Sequence, residues 1–224
     1  MEARSSLKGV LLDFDGTLVD LPVDWDRLRE DISHLFAAHG IVREFRPLYA
    51  SVAQAFGELE AQGAPAPIRA GLRRSLNHLM TTAERKASSE AVALPGSREL
   101  LEGIRVSGLK AVIQTSNSVL VVREVWNLLS LPPVDAVAGR EGARRPKPHP
   151  EGVLRALRGV GLRGSETVVI GDGDFDVQVG RAIGALTIRV GREGPGAKGH
   201  ADHVVGSLTE AGELLGLVRP AAAV

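Results

Sequence analysis

Two aspartates separated by one residue, Asp13 and Asp15, follow the apolar run at residues 10–12. In an extended backbone, residues two positions apart point to the same side, and Gly16 then allows the chain to turn away sharply. One carboxylate of such a pair can attack an electrophile while its neighbour transfers a proton. The spacing alone is a weak signal, because Asp-Gly is also common in ordinary turns.

A second polar group follows the apolar run at residues 111–113 and consists of Thr115, Ser116 and Asn117. Hydroxyl groups and free backbone amides at the start of a helix bind anions well. This arrangement predicts a substrate-binding role for all three residues. The alternative is a helix cap, in which Ser116 or Asn117 satisfies the first turn.

Lys147 lies between Pro146 and Pro148 in a basic segment. The two prolines restrict the local backbone, so the lysine ammonium group can be fixed in one place. A fixed positive charge suits a phosphoryl group. The alternative is a stiff, basic surface loop.

A third apolar run, at residues 168–170, leads into an acidic turn that contains Asp172, Asp174 and Asp176. In an open parallel sheet, ligands bind outside the carboxyl ends of the strands, so this turn is expected to lie beside Asp13 and Asp15. Two carboxylates about 4 Å apart repel by roughly 4 kcal/mol at an effective dielectric constant of about 20. Mg²⁺ would compensate this charge, since it binds a few carboxylates, keeps waters and accepts a phosphate oxygen.

Together these segments resemble the motifs of the haloacid dehalogenase superfamily, over about residues 8 to 190. The similarity is to its helical-cap branch, which includes phosphoglycolate phosphatase and β-phosphoglucomutase. The resemblance implies that Asp13 is the nucleophile, that Asp15 is the general acid and base, and that Thr115 and Lys147 bind the phosphoryl group. Dehalogenating members lack the second aspartate, so Asp15 favours phosphorus chemistry.

The resemblance also implies a Mg²⁺ site. Its ligands would be Asp13, the backbone oxygen of Asp15, and Asp172, with Asp176 supporting them from nearby. The sequence leaves open whether Asp174 or Asp176 has this supporting role. The negative charge around Asp15 should raise its pKa, which would allow it to carry a proton near neutral pH.

The predicted strands alternate with helix-like segments. These strands lie at about residues 8–13, 109–115, 134–138, 166–171 and 185–190. This alternation predicts an α/β fold with a Rossmann-like parallel sheet. Between residues 21 and 94 the apolar residues instead recur at helical spacing, in three groups. We therefore predict a core domain at residues 1–20 and 95–224 and an inserted helical cap domain at residues 21–94. A purely structural insertion is the alternative.

Bulk properties exclude several classes of protein. The 224 residues have a net charge of +0, which gives no electrostatic basis for binding nucleic acid or an anionic membrane. There are no cysteines, so disulfide frameworks and zinc thiolate sites are excluded. The apolar run before Asp13 is too short for a secretory signal, and no stretch is long enough to span a membrane. We expect a cytoplasmic protein, and the sequence does not indicate its oligomeric state.

The predicted function is a Mg²⁺-dependent phosphatase that hydrolyses a small phosphomonoester through an aspartyl-phosphate on Asp13. Its partner would be a small phosphorylated metabolite. One alternative is a phosphosugar mutase resembling β-phosphoglucomutase, which returns the phosphoryl group to a sugar. The other is a phosphometabolite-binding protein without catalysis.

Overall fold

The computed structural model describes residues 7–142, 145, 147–191 and 201–219, so Pro146 lies outside the described residues. The chain divides into two compact units. One contains the described residues of Met1–Leu21 and Glu90–Val224, and the other is Pro22–Ser89. None of the described helices combines the length and apolarity needed to cross a bilayer.

The larger unit is built on a parallel sheet of six strands in the order β5-β4-β1-β6-β7-β8. The strands are β1 (Gly9–Leu12), β4 (Lys110–Gln114), β5 (Ala136–Ala138), β6 (Thr167–Gly171), β7 (Leu186–Val190) and β8 (His203–Val205). The α/β fold with a Rossmann-like parallel sheet is therefore confirmed. The sequence did not predict β8, whose residues are half-exposed or exposed and lack a long apolar run.

Helices cover both sides of this sheet, as parallel sheets require. They are α4 (Ser97–Val106), α5 (Val119–Leu128), α6 (Glu151–Gly159), α7 (Asp174–Ile183) and α8 (Leu208–Leu215). The register places Leu11 of β1 opposite both Val112 of β4 and Val169 of β6. These three side chains form one buried cluster with Leu157 of α6 and Val179 of α7. This packing fixes the central strands and thus the loops that follow them.

A short antiparallel ribbon joins two distant parts of the same unit. Its strands are β2 (Val19–Asp20) and β3 (Val92–Ala93). Nearby, the buried hydroxyl of Ser97 donates a hydrogen bond to the backbone oxygen of Leu18 at 2.7 Å. The sequence did not predict these strands, because two-residue pairings leave no periodic pattern.

The smaller unit consists of α1 (Trp25–Ala37), α2 (Leu48–Ala61) and α3 (Ala66–Ala87). These helices coincide with the three groups of helically spaced apolar residues. Phe36 lies at the centre of their core, with its ring 5.0 Å from that of Phe45 and 5.3 Å from that of Phe56. Asp24 caps α1, because its carboxylate accepts a hydrogen bond from the backbone nitrogen of Arg27 at 2.9 Å.

Candidate active site

The candidate site lies where the central strands of the parallel sheet end. Strand β1 ends at Leu12, and the next backbone nitrogen, that of Asp13, donates to the oxygen of Ile170 in β6 at 2.9 Å. The backbone nitrogen of Thr115, directly after β4, donates to the oxygen of Ala138 at the same distance. The polar residues that follow β1, β4 and β6 are therefore brought to one edge of the sheet.

Three carboxylates meet at this edge. Asp13, Asp172 and Asp176 each offer an oxygen, and these oxygens lie within 4.8 Å of one another. Asp13 and Asp176 are buried, whereas Asp172 is exposed. Hard oxygen donors with one member open to solvent suit Mg²⁺, which binds few carboxylates and keeps several waters. The donor set thus fits a magnesium ion.

Lys147 links two of these acids. Its Nζ donates to Oδ1 of Asp13 and to Oδ1 of Asp176, both at 2.8 Å, and lies 3.4 Å from the backbone oxygen of Gln114. Burial by itself would lower the pKa of Lys147, but the charges of Asp13 and Asp176 outweigh it and raise that pKa. The Lys147 side chain is therefore a buried cation at the sheet edge, paired with two carboxylates.

Two of the acids hold protons more tightly than ordinary carboxyl groups. Burial and the charge of Asp176 raise the pKa of Asp13 to about 7, although Lys147 opposes the shift. Burial and the same neighbour also raise the pKa of Asp172. Part of each shift is repulsion between the acids, and a bound cation would relieve that unfavourable free energy.

Asp176 is positioned by several neighbours besides Lys147. Its Oδ1 accepts a hydrogen bond from Nε2 of Gln114 at 3.0 Å, and its Oδ2 accepts one from the backbone nitrogen of Gly173 at 3.1 Å. A Cβ atom placed on Gly171 would lie 2.4 Å from Cγ of Asp176. The carboxylate therefore occupies the space that a side chain at residue 171 would fill.

The turn after Asp13 contacts the cluster from the other side. Thr17 donates from its hydroxyl to Oδ1 of Asp172 at 3.1 Å. Gly16 has a φ of +85°, and a Cβ atom there would lie 2.8 Å from Oδ2 of Asp172. Asp15 is half-buried outside the carboxylate cluster, and its Oδ1 accepts a hydrogen bond from the backbone nitrogen of Leu21 at 3.1 Å.

The predicted substrate-binding loop is tightly hydrogen-bonded. Thr115 donates from Oγ1 to Oδ1 of Asn117 at 2.7 Å and accepts from the backbone nitrogen of Asn117 at 3.1 Å. Arg140 donates to the backbone oxygen of Ser116 at 2.8 Å. The alternative of a cap at Ser116 or Asn117 is wrong: the cap of α5 is Ser118, whose hydroxyl accepts from the nitrogen of Leu120 at 3.3 Å.

Asp174 and Asp176 occupy different environments although they are two residues apart. Asp174 forms an ion pair with Arg189 of β7, whereas Asp176 belongs to the carboxylate cluster. Both lie in the first turn of α7, where successive side chains point about 100° apart around the axis. Helix geometry therefore separates the two acids.

Sequence reasoning assigned no role to Gln114 or Thr17, which both contact the acids. Gln114 carried a usable signal, because it is the one amide side chain in the strand Lys110–Gln114 and follows three apolar residues. Thr17 carried a weaker one, since a hydroxyl residue after Asp-Gly is typical of turns.

The chain is similar to known proteins in sequence and in fold. The family model for haloacid dehalogenase-like hydrolases matches residues 10–190. Hexitol phosphatase A of Escherichia coli (strain K12) is 32% identical over 187 residues, covering 82% of each chain. Phosphoglycolate phosphatase of Xylella fastidiosa (strain 9a5c) is 26% identical and covers 78% of this chain and 76% of its own. The crystal structure of a hydrolase from Pseudomonas syringae has a similar fold, with a TM-score of 0.69 at 21% identity, covering 95% of this chain and 100% of the other.

Proposed function

Because the chain belongs to the haloacid dehalogenase-like hydrolases, we propose that it is a Mg²⁺-dependent phosphatase that hydrolyses a small phosphomonoester through an aspartyl-phosphate on Asp13. Its curated relatives are phosphatases, and the enzyme class is that of phosphoric monoester hydrolases. The observation that carries the proposal is the buried Asp13 carboxylate. It accepts a hydrogen bond from Lys147, and one of its oxygens lies within 4.8 Å of an oxygen of Asp172 and of Asp176.

The proposed reaction has two steps. An oxygen of Asp13 attacks phosphorus, and the bond from phosphorus to the alcohol oxygen breaks while Asp15 gives that oxygen a proton. Asp15 then takes a proton from a water molecule, which attacks the same phosphorus and releases inorganic phosphate from Asp13. Lys147 orients the attacking carboxylate and balances charge on the transferred group.

Around these residues we propose a metal site and a phosphate site. Asp13, the backbone oxygen of Asp15, and Asp172 would hold Mg²⁺, with Asp176 supporting them. When bound, Mg²⁺ would neutralise negative charge on the phosphoryl oxygens. Thr115, Ser116 and Asn117 would bind the phosphoryl group through hydroxyl, amide and backbone groups. A cytoplasmic location also remains a prediction.

The helical unit Pro22–Ser89 is proposed as the cap domain that selects the leaving group. This keeps the prediction of an inserted helical domain between the two parts of the core. Its test is a set of alanine substitutions at exposed cap residues, which should change KM among substrates far more than they change the rate with a small generic phosphomonoester.

A panel of phosphomonoesters tests the proposed activity. It should include a hexitol phosphate and phosphoglycolate, the substrate types named for two relatives, and should measure inorganic phosphate with Mg²⁺ and with a chelator. We expect phosphate release that needs the metal. An isomerised monophosphate formed from a bisphosphorylated sugar would instead indicate a mutase. Binding without turnover across the panel would indicate a non-catalytic protein.

Magnesium binding should strengthen as the pH rises. In the metal-free protein the pKa of Asp13 is about 7, so below that pH the metal must displace a proton. We expect affinity about tenfold higher near pH 8 than near pH 6. Isothermal titration calorimetry in buffers of different ionisation enthalpy would measure both the affinity and the released proton. Asp13→Asn should remove most of this pH dependence, and a flat profile in the wild type would contradict the prediction.

A methyl group on Gly171 should displace Asp176. The added Cβ would lie 2.4 Å from the carboxyl carbon of Asp176, far inside normal contact distance. We expect Gly171→Ala to weaken Mg²⁺ binding by about tenfold, a typical cost of disturbing residues that support a metal site. Gly159→Ala is the matched control, because among the described residues no atom beyond its own helical turn lies within 4 Å of the corresponding position. Equal Mg²⁺ affinities in the two variants would show that Asp176 is not constrained by Gly171.

A further inference from the structure

Gln114 is a polar residue at a position where the fold calls for an apolar one. It ends β4, its exposed fraction is 0%, and the preceding residues Ala111, Val112 and Ile113 are apolar and buried. Within the described part of the chain, its Oε1 is buried and has no hydrogen-bond partner. An unpaired buried acceptor costs free energy that leucine or methionine would not. The amide therefore needs a compensating role.

Gln114 contacts two residues of the site. Its Nε2 donates to Oδ1 of Asp176 at 3.0 Å, and its backbone oxygen lies 3.4 Å from Nζ of Lys147. Oδ1 of Asp176 also accepts from Lys147. An ionised carboxylate oxygen only accepts hydrogen bonds, so Gln114 must turn the NH₂ group of its amide toward Asp176. This requirement fixes the orientation of the Gln114 side chain.

We propose that Gln114 is a positioning residue that sets the orientation of Asp176 and thereby the affinity of the site for Mg²⁺. An amide donates a hydrogen bond without adding charge, so it restrains Asp176 and leaves the net negative charge of the cluster available to the metal. A second lysine would restrain the same oxygen but would compete with the cation. Gln114, Lys147 and the nitrogen of Gly173 together hold both oxygens of Asp176.

The proposal rests on the proposed function in one respect, namely that Mg²⁺ is the metal of this site. Its test is therefore metal binding, measured by calorimetry on the full chain. Gln114→Met keeps the length of the side chain but removes the donor. We expect the Kd for Mg²⁺ to rise by about tenfold, as for other residues that orient metal ligands. If Gln114→Met does not fold, Gln114→Asn replaces it, because its shorter side chain withdraws the amide from Asp176.

Two comparisons separate positioning from a merely structural effect. Val112→Ala removes a buried side chain from the same strand away from the acids, and should lower the unfolding temperature while leaving the Kd within about twofold of wild type. In an Asp176→Asn background, Gln114→Met should change the Kd by less than about twofold, because its effect passes through that carboxylate.

The outcomes are distinct. A Kd in Gln114→Met within about twofold of wild type, or the same change with and without Asp176, overturns the positioning role and leaves the phosphatase proposal intact. If the wild-type protein does not bind Mg²⁺, the metal assignment and the positioning role are both overturned. A tenfold loss that disappears in the Asp176→Asn background supports the proposal.

Discussion

Asp13→Asn is expected to reduce phosphate release by about 10⁴-fold or more, because an amide cannot form the acyl-phosphate that carries the phosphoryl group between the two steps. The substituted side chain keeps the size and shape of the original. It also removes a charge whose burial, together with repulsion from Asp176, raises the pKa of Asp13 to about 7. The unfolding temperature of the metal-free protein should therefore not fall.

The measurement is phosphate release with the best substrate of the panel, together with thermal unfolding of both proteins. Asp174→Asn is the matched control, since Asp174 lies in the acidic turn that supplies Asp172 and Asp176 but itself pairs with Arg189 outside the cluster. The control should keep most of the wild-type rate. If the folded Asp13→Asn protein hydrolyses substrate at the wild-type rate, Asp13 is not the nucleophile and the two-step reaction is excluded.

Lys147→Ala should lower kcat by about 10² to 10³-fold, the usual cost of removing one preorganised donor to a transition-state oxygen. The lysine also bridges Asp13 and Asp176 at 2.8 Å each, so its loss leaves two buried carboxylates facing each other. The pKa of Asp13 should consequently rise further, because Lys147 lowers it in the wild type. We therefore expect the activity that remains to shift toward higher pH.

Steady-state kinetics across a pH series would measure both effects. Lys110→Ala is a suitable control, because Lys110 is exposed and pairs with Asp135 at the opposite ends of the strands. A Lys147→Arg variant distinguishes charge from geometry, since a planar guanidinium cannot place one donor atom between two carboxylates in the same way. Normal turnover in Lys147→Ala would contradict a role for Lys147 in the transition state. The lysine would then only balance the charge of the acids in the free enzyme.

Much of the fold was predictable because the central strands are buried on both faces. Such strands are continuous apolar runs, and the predicted strands near residues 8–13 and 166–171 correspond to β1 and β6 within one or two residues. The helices of the smaller unit were predictable for a related reason, since one buried face repeats at helical spacing. The ribbon of β2 and β3 has neither pattern, and only tertiary contacts define it.

The sequence by itself determined which residue types are available at the candidate site. It contains the acids and the lysine, and the rule that ligands bind at the carboxyl ends of parallel strands predicted that the turn with Asp172 and Asp176 lies beside Asp13. Those features are local, because each depends on residues that are neighbours in the chain. The same reasoning led to the family, which the match over residues 10–190 confirms.

The tertiary structure alone decided which polar atoms meet. Gln114 and Asp176 are 62 residues apart, and Lys147 is 134 residues from Asp13, so packing of the sheet and its helices determines their contacts. The same is true of Asp174, which pairs with Arg189 of β7. A hydrogen bond depends on tenths of an ångström and on direction, and hydrophobic periodicity contains neither.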